Sequence, residues 1–393
     1  MKTEPFSQRL KCFAPCLCFV LAEIFLGGAP GGVVRADDRP LAPWTQGEGP
    51  QQQVLMERVE KVYSDGRWNG RPVAVFWKGR YYLFIRTASG HASTDGQIRL
   101  IHTESSDARH WSSSPYTARN YRATVAAKKS LDPIGPGPQA TVIIDTPMNE
   151  QEVHVLVTPD RLFAYTVMEE NETVPGTMVS YSDNGDDWSD PTFVYEPGWS
   201  FWKPRSYEGV YYVAGDIMTG NQRVELLSST DGFAWKKVST IGEAKHVAEG
   251  RLTETDLLFL PDGTLLAVTR QGRMYKAAPP YTHWTSRKWS SALQGPALEL
   301  VGDTVLASGR VSPRRYPDDQ NGSRRNALFV IDPNTLERKW QMNMPTQWGA
   351  DLSYPHILAL GEDRALITWY DGEWWEKDVA KQADIFIAFL RIQ

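Results

Sequence analysis

Cysteine is nearly missing from this chain of 393 residues. The three cysteines, Cys12, Cys16 and Cys18, all lie close to the N-terminus. The rest of the sequence therefore offers no disulfide, no thiolate nucleophile and no cysteine ligand for a metal. Long hydrophobic runs are absent as well. The apolar stretch 12–26 is only about 15 residues long and is interrupted by a proline and a glutamate, which is too short for a membrane-spanning helix.

Concentrated positive charge is the second absence. The formal net charge is −5, and residues 1–36 contain four basic and two acidic side chains. Beyond them the sequence contains no basic block, and binding to a phosphate backbone needs a concentrated positive face. We therefore expect no nucleic-acid partner.

The N-terminal segment has the pattern of a secretory signal peptide. Basic residues precede the apolar stretch, and small residues follow it before a Val34-Arg35-Ala36 cleavage-like site. An uncleaved anchor is the alternative. The sequence predicts a signal peptide over 1–36, a Pro/Gly-rich linker over 37–50 and one domain over 51–393. The mature protein is expected to be secreted or periplasmic, monomeric and without a membrane span.

Short apolar runs punctuated by Gly, Asp and Asn fill the remainder, which is typical of all-β folds. One hairpin pattern recurs as a strand, a tight turn and a β-branched or aromatic strand. Repeats of about 40–50 residues with several strands each indicate a β-propeller. The sequence therefore predicts an all-β, six-bladed β-propeller. The six turns are marked by Gly79, Asp160, Gly209, Gly263, Asp303 and Asp363.

A second repeat places an aspartate in a turn four or five residues before a tryptophan. The aspartate can accept hydrogen bonds from backbone amides across the turn, and the tryptophan can pack between neighbouring blades. The acidic run 183–187 lacks the ligand spacing of a calcium loop, so a structural turn is favoured. The three pairs are Asp107 with Trp111, Asp183 with Trp188, and Asp231 with Trp235.

Equivalent strand positions in a propeller form a ring at one end of the channel. Three arginines, Arg86, Arg270 and Arg310, share the position seven residues after the turn marker. Glu254 and Tyr354 lie nine residues before their markers, at the starts of the preceding strands. Antiparallel pairing brings such strand starts beside the strand ends, so all five side chains are predicted at one face.

This set favours an anionic ligand. Three converging guanidinium groups repel one another unless they bind an anion, and their planar donors match a carboxylate. A tyrosine beside a glutamate can lose its proton to it, and nearby arginines favour the phenolate. Such a nucleophile suits an anionic sugar.

Nearly the whole predicted domain resembles the sialidase superfamily, the secreted bacterial neuraminidase-repeat propellers with Asp-box motifs. The resemblance is carried by the segments 84–100, 253–270, 278–284, 307–310 and 351–357. It implies that Tyr354 is the nucleophile and Glu254 the carboxylate that activates it. It also implies that Arg86, Arg270 and Arg310 hold the substrate carboxylate.

Two positions depart from the family pattern. Ile-Pro usually follows the first family arginine, whereas Thr87 and Ala88 follow Arg86. The family's Arg-Asp-Pro in the second blade is replaced by residues 151–153, where Glu152 can supply the carboxylate.

The resemblance places the acid/base aspartate in the loop after the first arginine, where Asp95 is the candidate and His91 its rival. Arg205 and Trp202, ahead of the third hairpin, are candidates for the channel mouth. Trp202 could stack on a sugar or pack at a blade junction.

The sequence thus predicts an exo-glycosidase that hydrolyses a terminal, sialic-acid-like sugar with retention and without a metal or organic cofactor. Two alternatives stay open. The first is a propeller glycosidase or lyase for another sugar, such as a uronic acid or an arabinan. The second is a propeller that binds glycans without catalysis.

Overall fold

The computed structural model describes residues 53–103, 108, 111–112, 140–170, 173–217, 222–243, 245, 252–311, 325–348, 351–373 and 382–393. These residues belong to one compact unit that spans 41–393. The predicted signal peptide and linker lie outside the described residues, and so does Asp107. Within the described ranges, no helix has the length and apolar character that crossing a membrane requires.

The described residues form strands and no α-helix. The first half of the chain contributes β1 (Val54–Tyr63), β2 (Trp68–Trp77), β3 (Arg80–Ala88), β4 (Gln97–Thr103), β5 (Trp111–Ser112), β6 (Thr141–Ile144), β7 (Asn149–Val157), β8 (Leu162–Glu170), β9 (Thr173–Ser182), β10 (Thr192–Phe193), β11 (Trp199–Phe201), β12 (Arg205–Tyr207) and β13 (Val210–Ile217). The second half contributes β14 (Arg223–Ser229), β15 (Lys236–Gly242), β16 (Asp256–Phe259), β17 (Leu265–Val268), β18 (Arg273–Ala277), β19 (Thr285–Lys288), β20 (Gln294–Val301), β21 (Thr304–Val311), β22 (Arg325–Asp332), β23 (Glu337–Asn343), β24 (Asp351–Ala359), β25 (Arg364–Gly372) and β26 (Ala383–Ile392).

These strands build a β-propeller arrangement, as the sequence predicts. Four sheets stand as separate units in chain order: β7–β10, β11–β15, β16–β19 and β20–β23. The remaining strands form a nine-stranded sheet with the path β24-β25-β26-β2-β3-β4-β5, in which β1 pairs with β26 and β6 with β4. The described contact between β2 and β26 is one parallel pair, Trp68 opposite Ala383. Because β1 lies antiparallel on β26, with Val54 opposite Ile392, the two ends of the described chain close the ring together.

The hydrophobic core is divided into layers between successive sheets. Phe84 of β3 packs in one cluster with Val153 of β7, and Leu226 of β14 packs in another with Leu257 of β16. Strands with apolar residues on both faces are expected when neighbouring sheets cover them on both sides. The first strands of the sheets contact one another directly, β2 with β7 and β24, and β20 with β16 and β24, so they lie nearest the channel.

Two of the three predicted Asp–Trp turns lie within the described residues, and both form, one of them with a change of residue. Asp231 accepts hydrogen bonds from the amides of residues 233 and 234, both at 2.8 Å. In the second turn Asn184 performs this role, accepting from the amides of residues 186 and 187. The prediction for Asp183 is therefore wrong: its carboxylate pairs with Arg161 at 2.6 Å, because it lies one position before the residue that faces the turn. Trp188 packs edge-on against Phe84 of the neighbouring sheet, with ring centroids 5.6 Å apart.

Candidate functional site

Three polar residues at the channel share an unusual backbone conformation. Arg71, Glu254 and Tyr354 have φ angles of 54°, 51° and 51°, in the left-handed region that side chains other than glycine rarely adopt. At Arg71 and Tyr354 the strand pairing shifts register, and Pro72 and Pro355 follow. Such backbone strain costs on the order of 1–3 kcal/mol per residue and clusters at functional sites. The positive φ angles of these three residues mark this end of the channel as the candidate site.

Glu254 is the hub of the site. The Tyr354 hydroxyl donates a hydrogen bond to Glu254 Oε1 at 2.7 Å, and an Arg270 guanidinium nitrogen donates to the same oxygen. The Gly295 amide donates to the other carboxylate oxygen, Oε2, at 2.8 Å. The structure thus brings together Tyr354, Glu254 and Arg270, which the sequence places on three separate strands.

The proton lies on the tyrosine in the resting site. Burial, aided by the negative charge of Glu254, raises the pKa of Tyr354 to about 12. Burial also tends to raise the pKa of Glu254, but Arg270 and the hydrogen bonds from Gly295 and Tyr354 outweigh it and bring this pKa below 4.5. Arg71 and Arg270 do favour the phenolate, as expected of nearby arginines, but burial and Glu254 outweigh them. Glu254 is instead an ionised acceptor poised for the tyrosine proton.

Arg71 is a site residue that the sequence analysis missed. Its guanidinium carbon lies 4.9 Å from the centre of the Tyr354 ring, and a guanidinium nitrogen lies 3.6 Å from Glu152 Oε2. The same nitrogen donates to the Gln151 side-chain oxygen at 3.1 Å. Arg71 therefore stands against the Tyr354 ring and next to Glu152.

A signal for Arg71 was present in the sequence. The offset of nine residues before the turn marker finds Tyr354 but lands on Gly70 in the first hairpin, one residue short of Arg71. The two hairpins differ in turn length, so a fixed offset fails. A proline follows each residue, Pro72 after Arg71 and Pro355 after Tyr354, and aligning the two hairpins on it would have matched Arg71 with Tyr354.

The contacts of Arg86 lie away from Arg270 and Arg310, and its place at a ligand stays a prediction. Arg86 is fully buried and donates to the backbone oxygens of Glu150 at 2.7 Å and Ser93 at 2.8 Å. Asn149 Oδ1 accepts a third hydrogen bond at 3.2 Å. Burial and the charge of Arg71 lower the pKa of Arg86 to about 9. The loop after β3 folds over this side chain, which explains why its ring position does not open to the channel.

Arg310 lies at the other side of the hub. It donates to Gln294 Oε1 at 2.8 Å and to the Leu352 carbonyl at 3.3 Å, and its guanidinium is 3.9 Å from Asp351. Its positive charge contributes to the lowered pKa of Glu254. Arg71, Arg270 and Arg310 are thus the three guanidinium groups around the tyrosine–glutamate pair.

The loop 89–96 contains both predicted acid/base candidates, and the structure separates them. Asp95 Oδ1 accepts hydrogen bonds from the amide and the hydroxyl of Ser89, both at 3.1 Å, so Asp95 stabilises the loop itself. The ring of His91 contacts the core of the site instead, with Nδ1 2.8 Å from Asp351 Oδ2. The catalytic prediction for Asp95 therefore lacks geometric support, while His91 meets the site.

Two buried carboxyl groups line the same end. Glu152 lies between Arg71 and His154, 3.9 Å from the His154 Nε2 atom. Asp216 is 2% exposed, and its Oδ2 atom accepts a hydrogen bond from the backbone amide of Glu254 at 3.2 Å. Burial and the neighbouring Glu152 raise the pKa of Asp216 well above its usual range. The placement of Glu152 agrees with a carboxylate at the predicted position.

Arg205 and Trp202 are both held by contacts within the protein. Arg205 pairs with Asp256 at 3.3 Å and with Glu299 at 2.9 Å. Trp202 is 1% exposed, and its ring centre lies 5.8 Å from that of Tyr354. The burial of Trp202 favours packing over stacking on a sugar, and the place of Arg205 at the channel mouth stays a prediction.

The described ranges contain no group of three or more His, Cys, Asp or Glu side chains that could hold a metal ion. The site is instead a set of hydrogen-bonded guanidinium, carboxylate and phenol groups. Such a set can bind a carboxylate and move one proton between Tyr354 and Glu254.

Comparison with known proteins shows the fold. No protein-family model matches the chain, and no curated protein matches it in sequence. Its structure is similar to that of a protein of unknown function from Dyadobacter fermentans, at a TM-score of 0.67 and 15% identity over 87% of this chain and 100% of that one. It is also similar to the endosialidase of phage phi92, at a TM-score of 0.61 and 10% identity over 86% of this chain and 69% of that one. A third similar structure is that of a mutant of Trypanosoma rangeli sialidase that displays trans-sialidase activity. Its TM-score is 0.54 and its identity 11%, over 89% of this chain and 59% of that one.

At these identities the likeness establishes a sialidase-like propeller fold and leaves the activity to be argued from the site.

Proposed function

We propose that this protein is a secreted glycosidase that removes a terminal acidic, sialic-acid-like sugar from glycans with retention of configuration. The observation that carries the proposal is the contact of Tyr354 with Glu254 and of Glu254 with Arg270. A phenol bonded to an ionised carboxylate is an activated nucleophile, and sialidases are the glycosidases that use tyrosine in this role.

The proposal includes a six-bladed ring. The nine-stranded sheet counts as two four-stranded blades, β2–β5 and β24-β25-β26-β1, because a single parallel pair joins them. Together with the four separate sheets this makes six. The short strand β6 is an addition to the first of these blades.

The substrate carboxylate would bind Arg71, Arg270 and Arg310. The Arg71 guanidinium lies 4.9 Å from the centre of the Tyr354 ring, Arg270 donates to Glu254, and the charge of Arg310 contributes to the lowered pKa of Glu254. Guanidinium groups bind carboxylates through paired, planar hydrogen bonds. Glu152 and Asp216 would face the polar substituents of the sugar ring.

Tyr354 would attack the anomeric carbon while its proton passes to Glu254. A neutral phenol avoids the repulsion that a carboxylate nucleophile would meet from an anionic substrate. The high pKa of Tyr354 keeps the proton in place until attack, and the ionised Glu254 2.7 Å away receives it. Water then hydrolyses the tyrosyl-linked sugar.

The test is hydrolysis of a fluorogenic N-acetylneuraminic acid glycoside by the purified protein and by Tyr354→Phe. Turnover by the wild type that falls at least about 10³-fold in the variant supports the proposal. Tyr165→Phe is the matched control, because it removes a buried hydroxyl bonded to the Gly232 carbonyl, in another part of the molecule.

The absence of turnover on this and on uronic acid glycosides would contradict the proposal. Binding of the free sugar, seen as a thermal shift without turnover, would favour a glycan-binding propeller. Turnover of a uronic acid or arabinan substrate alone would favour a glycosidase or lyase for another sugar.

A further inference from the structure

The retaining mechanism proposed above needs a group that protonates the leaving oxygen, and this inference rests on that function. The resemblance implies an aspartate in the loop 89–96, but Asp95 there stabilises the turn at Ser89. The other titratable side chain of the loop is His91.

His91 and Asp351 form a dyad beside the nucleophile. His91 Nδ1 lies 2.8 Å from Asp351 Oδ2, and Asp351 precedes Tyr354 on β24. The His91 ring lies 4.9 Å from the ring of Trp68 and 6.4 Å from that of Tyr370. The Tyr370 ring is in turn stacked 6.3 Å from the Tyr354 ring. A histidine is therefore fixed on the same wall of the site as the attacking phenol.

The dyad is held in place by further contacts to Asp351. The Trp68 indole donates to Asp351 Oδ2 at 2.8 Å, and the Tyr370 hydroxyl donates to Oδ1 at 3.1 Å. A carboxylate that holds one imidazole nitrogen fixes the orientation of the ring and leaves the proton chemistry to the other nitrogen.

We propose that His91, oriented by Asp351, is the proton donor to the leaving oxygen and the base for the hydrolytic water. In the first step the Tyr354 oxygen bonds to the anomeric carbon and its proton goes to Glu254. The bond from that carbon to the leaving oxygen breaks, and this oxygen takes its electron pair and a proton from His91 Nε2. In the second step neutral His91 takes a proton from water, whose oxygen replaces Tyr354 on the carbon, and Glu254 returns the proton to Tyr354.

The charges around His91 set the pH range of the donor. It faces Asp351 from β24, Tyr370 from β25, Arg71 from β2 and Arg86 from β3. Burial lowers the pKa of His91 below 6.5; Asp351 opposes this shift, and the two arginines reinforce it. Because the donor must carry its proton, cleavage of a poor leaving group is expected to fall as the pH rises through this pKa.

The test compares two substrates of the same acidic sugar, a 4-nitrophenyl glycoside and an oligosaccharide. The nitrophenolate leaves without protonation, whereas the sugar oxygen needs it. His91→Gln is expected to lose about 10²–10³-fold in kcat on the oligosaccharide and less than tenfold on the aryl glycoside. Asp95→Asn is the matched control. It keeps the Oδ1 acceptor for Ser89 and is expected to stay within about twofold of wild type on both.

An equal loss on both substrates in His91→Gln, or the leaving-group effect appearing in Asp95→Asn, would overturn the inference. The wild-type pH profile tests it without a variant: an alkaline limb must appear for the oligosaccharide and not for the aryl glycoside. Cleavage of neither substrate by the wild type would overturn the proposed function and this inference together. Normal cleavage without the leaving-group effect would overturn this inference alone.

Discussion

Arg71 and Arg86 lie on adjacent strands of one hairpin, yet their surroundings are opposite. Arg71 stands at the strained bulge of β2, where Tyr354 and Glu152 raise its pKa above the usual value although burial opposes the shift. Arg86, opposite Gly70 on β3, donates to backbone carbonyls and to an amide oxygen, and burial lowers its pKa. The Arg71 guanidinium lies beside the carboxylate of Glu152 and could bind the carboxylate of a substrate in its place. A guanidinium enclosed by neutral carbonyls supports the loop above it.

A ring position in a propeller does not by itself define a side chain's surroundings. The position of Arg86 is equivalent to that of Arg310, since each lies opposite the residue before a bulge. Arg310 nevertheless acts on Glu254, whereas Arg86 is covered by the loop 89–96.

The largest effect is expected for Arg71→Met. Removing a guanidinium that binds the substrate carboxylate costs about 3–4 kcal/mol, which corresponds to about 10²–10³-fold in kcat/KM. Because the contact exists in the bound ground state as well, much of the loss should appear as a raised KM. Steady-state kinetics on the fluorogenic glycoside measure this. A KM unchanged in Arg71→Met would break the assignment of Arg71 to the carboxylate.

The next effect is the acid limb of the pH profile. Glu254 must be ionised to accept the tyrosine proton, and its pKa lies below 4.5. A depressed pKa means that activity is present above it and falls about tenfold per unit as the pH drops further. The pH dependence of kcat/KM on the aryl glycoside should show this limb below the usual titration range of a glutamate, with Asp95→Asn giving the same limb. A limb above that range would contradict Glu254 as the acceptor.

Gly295→Ala is expected to lower kcat about tenfold. Gly295 has a φ of 59° at the bulge of β20, and a Cβ there would lie 3.0 Å from Tyr354 Cγ and 2.9 Å from Ser353 Oγ. Displacing the nucleophile by a few tenths of an ångström misaligns attack. Gly79→Ala is the matched control, because Gly79 also has a positive φ but open space around it. Equal kcat values in the two variants would show that the bulge does not position Tyr354.

Arg86→Met is expected to have the smallest effect on activity and a measurable one on stability. The variant leaves the carbonyls of Glu150 and Ser93 without their donor, which costs about 1–3 kcal/mol. Urea unfolding should show a lowered midpoint, with KM within about threefold of wild type. A KM raised as far as in Arg71→Met would restore Arg86 to the ligand and remove the contrast between the two residues.

The sequence was sufficient to predict the propeller because each hairpin repeats an alternation of turn residues and apolar strands. It also brought Tyr354, Glu254, Arg270 and Arg310 to one end, since strand pairing converts a shared offset from a turn into a shared height along the channel. Glu152, proposed as a replacement carboxylate, lies at this end as well.

The rest depended on features that leave no fixed spacing. The first and last hairpins carry the same bulge but differ in turn length, so Arg71 escaped the offset that found Tyr354. A loop can fold back over its own strand, so the sequence did not show that Arg86 donates to the Ser93 carbonyl of the loop that follows it. Within the loop 89–96, only the three-dimensional path separates His91, which meets Asp351, from Asp95, which meets Ser89.

The most direct test of the central claim is to trap the sugar on its nucleophile. The purified protein would be incubated with a 2,3-difluorinated sialic acid, digested and analysed by peptide mass spectrometry. We predict one covalent adduct, on Tyr354, which is absent in Tyr354→Phe. Hydrolysis of the fluorogenic glycoside with an adduct on another residue, or with none, would contradict the account.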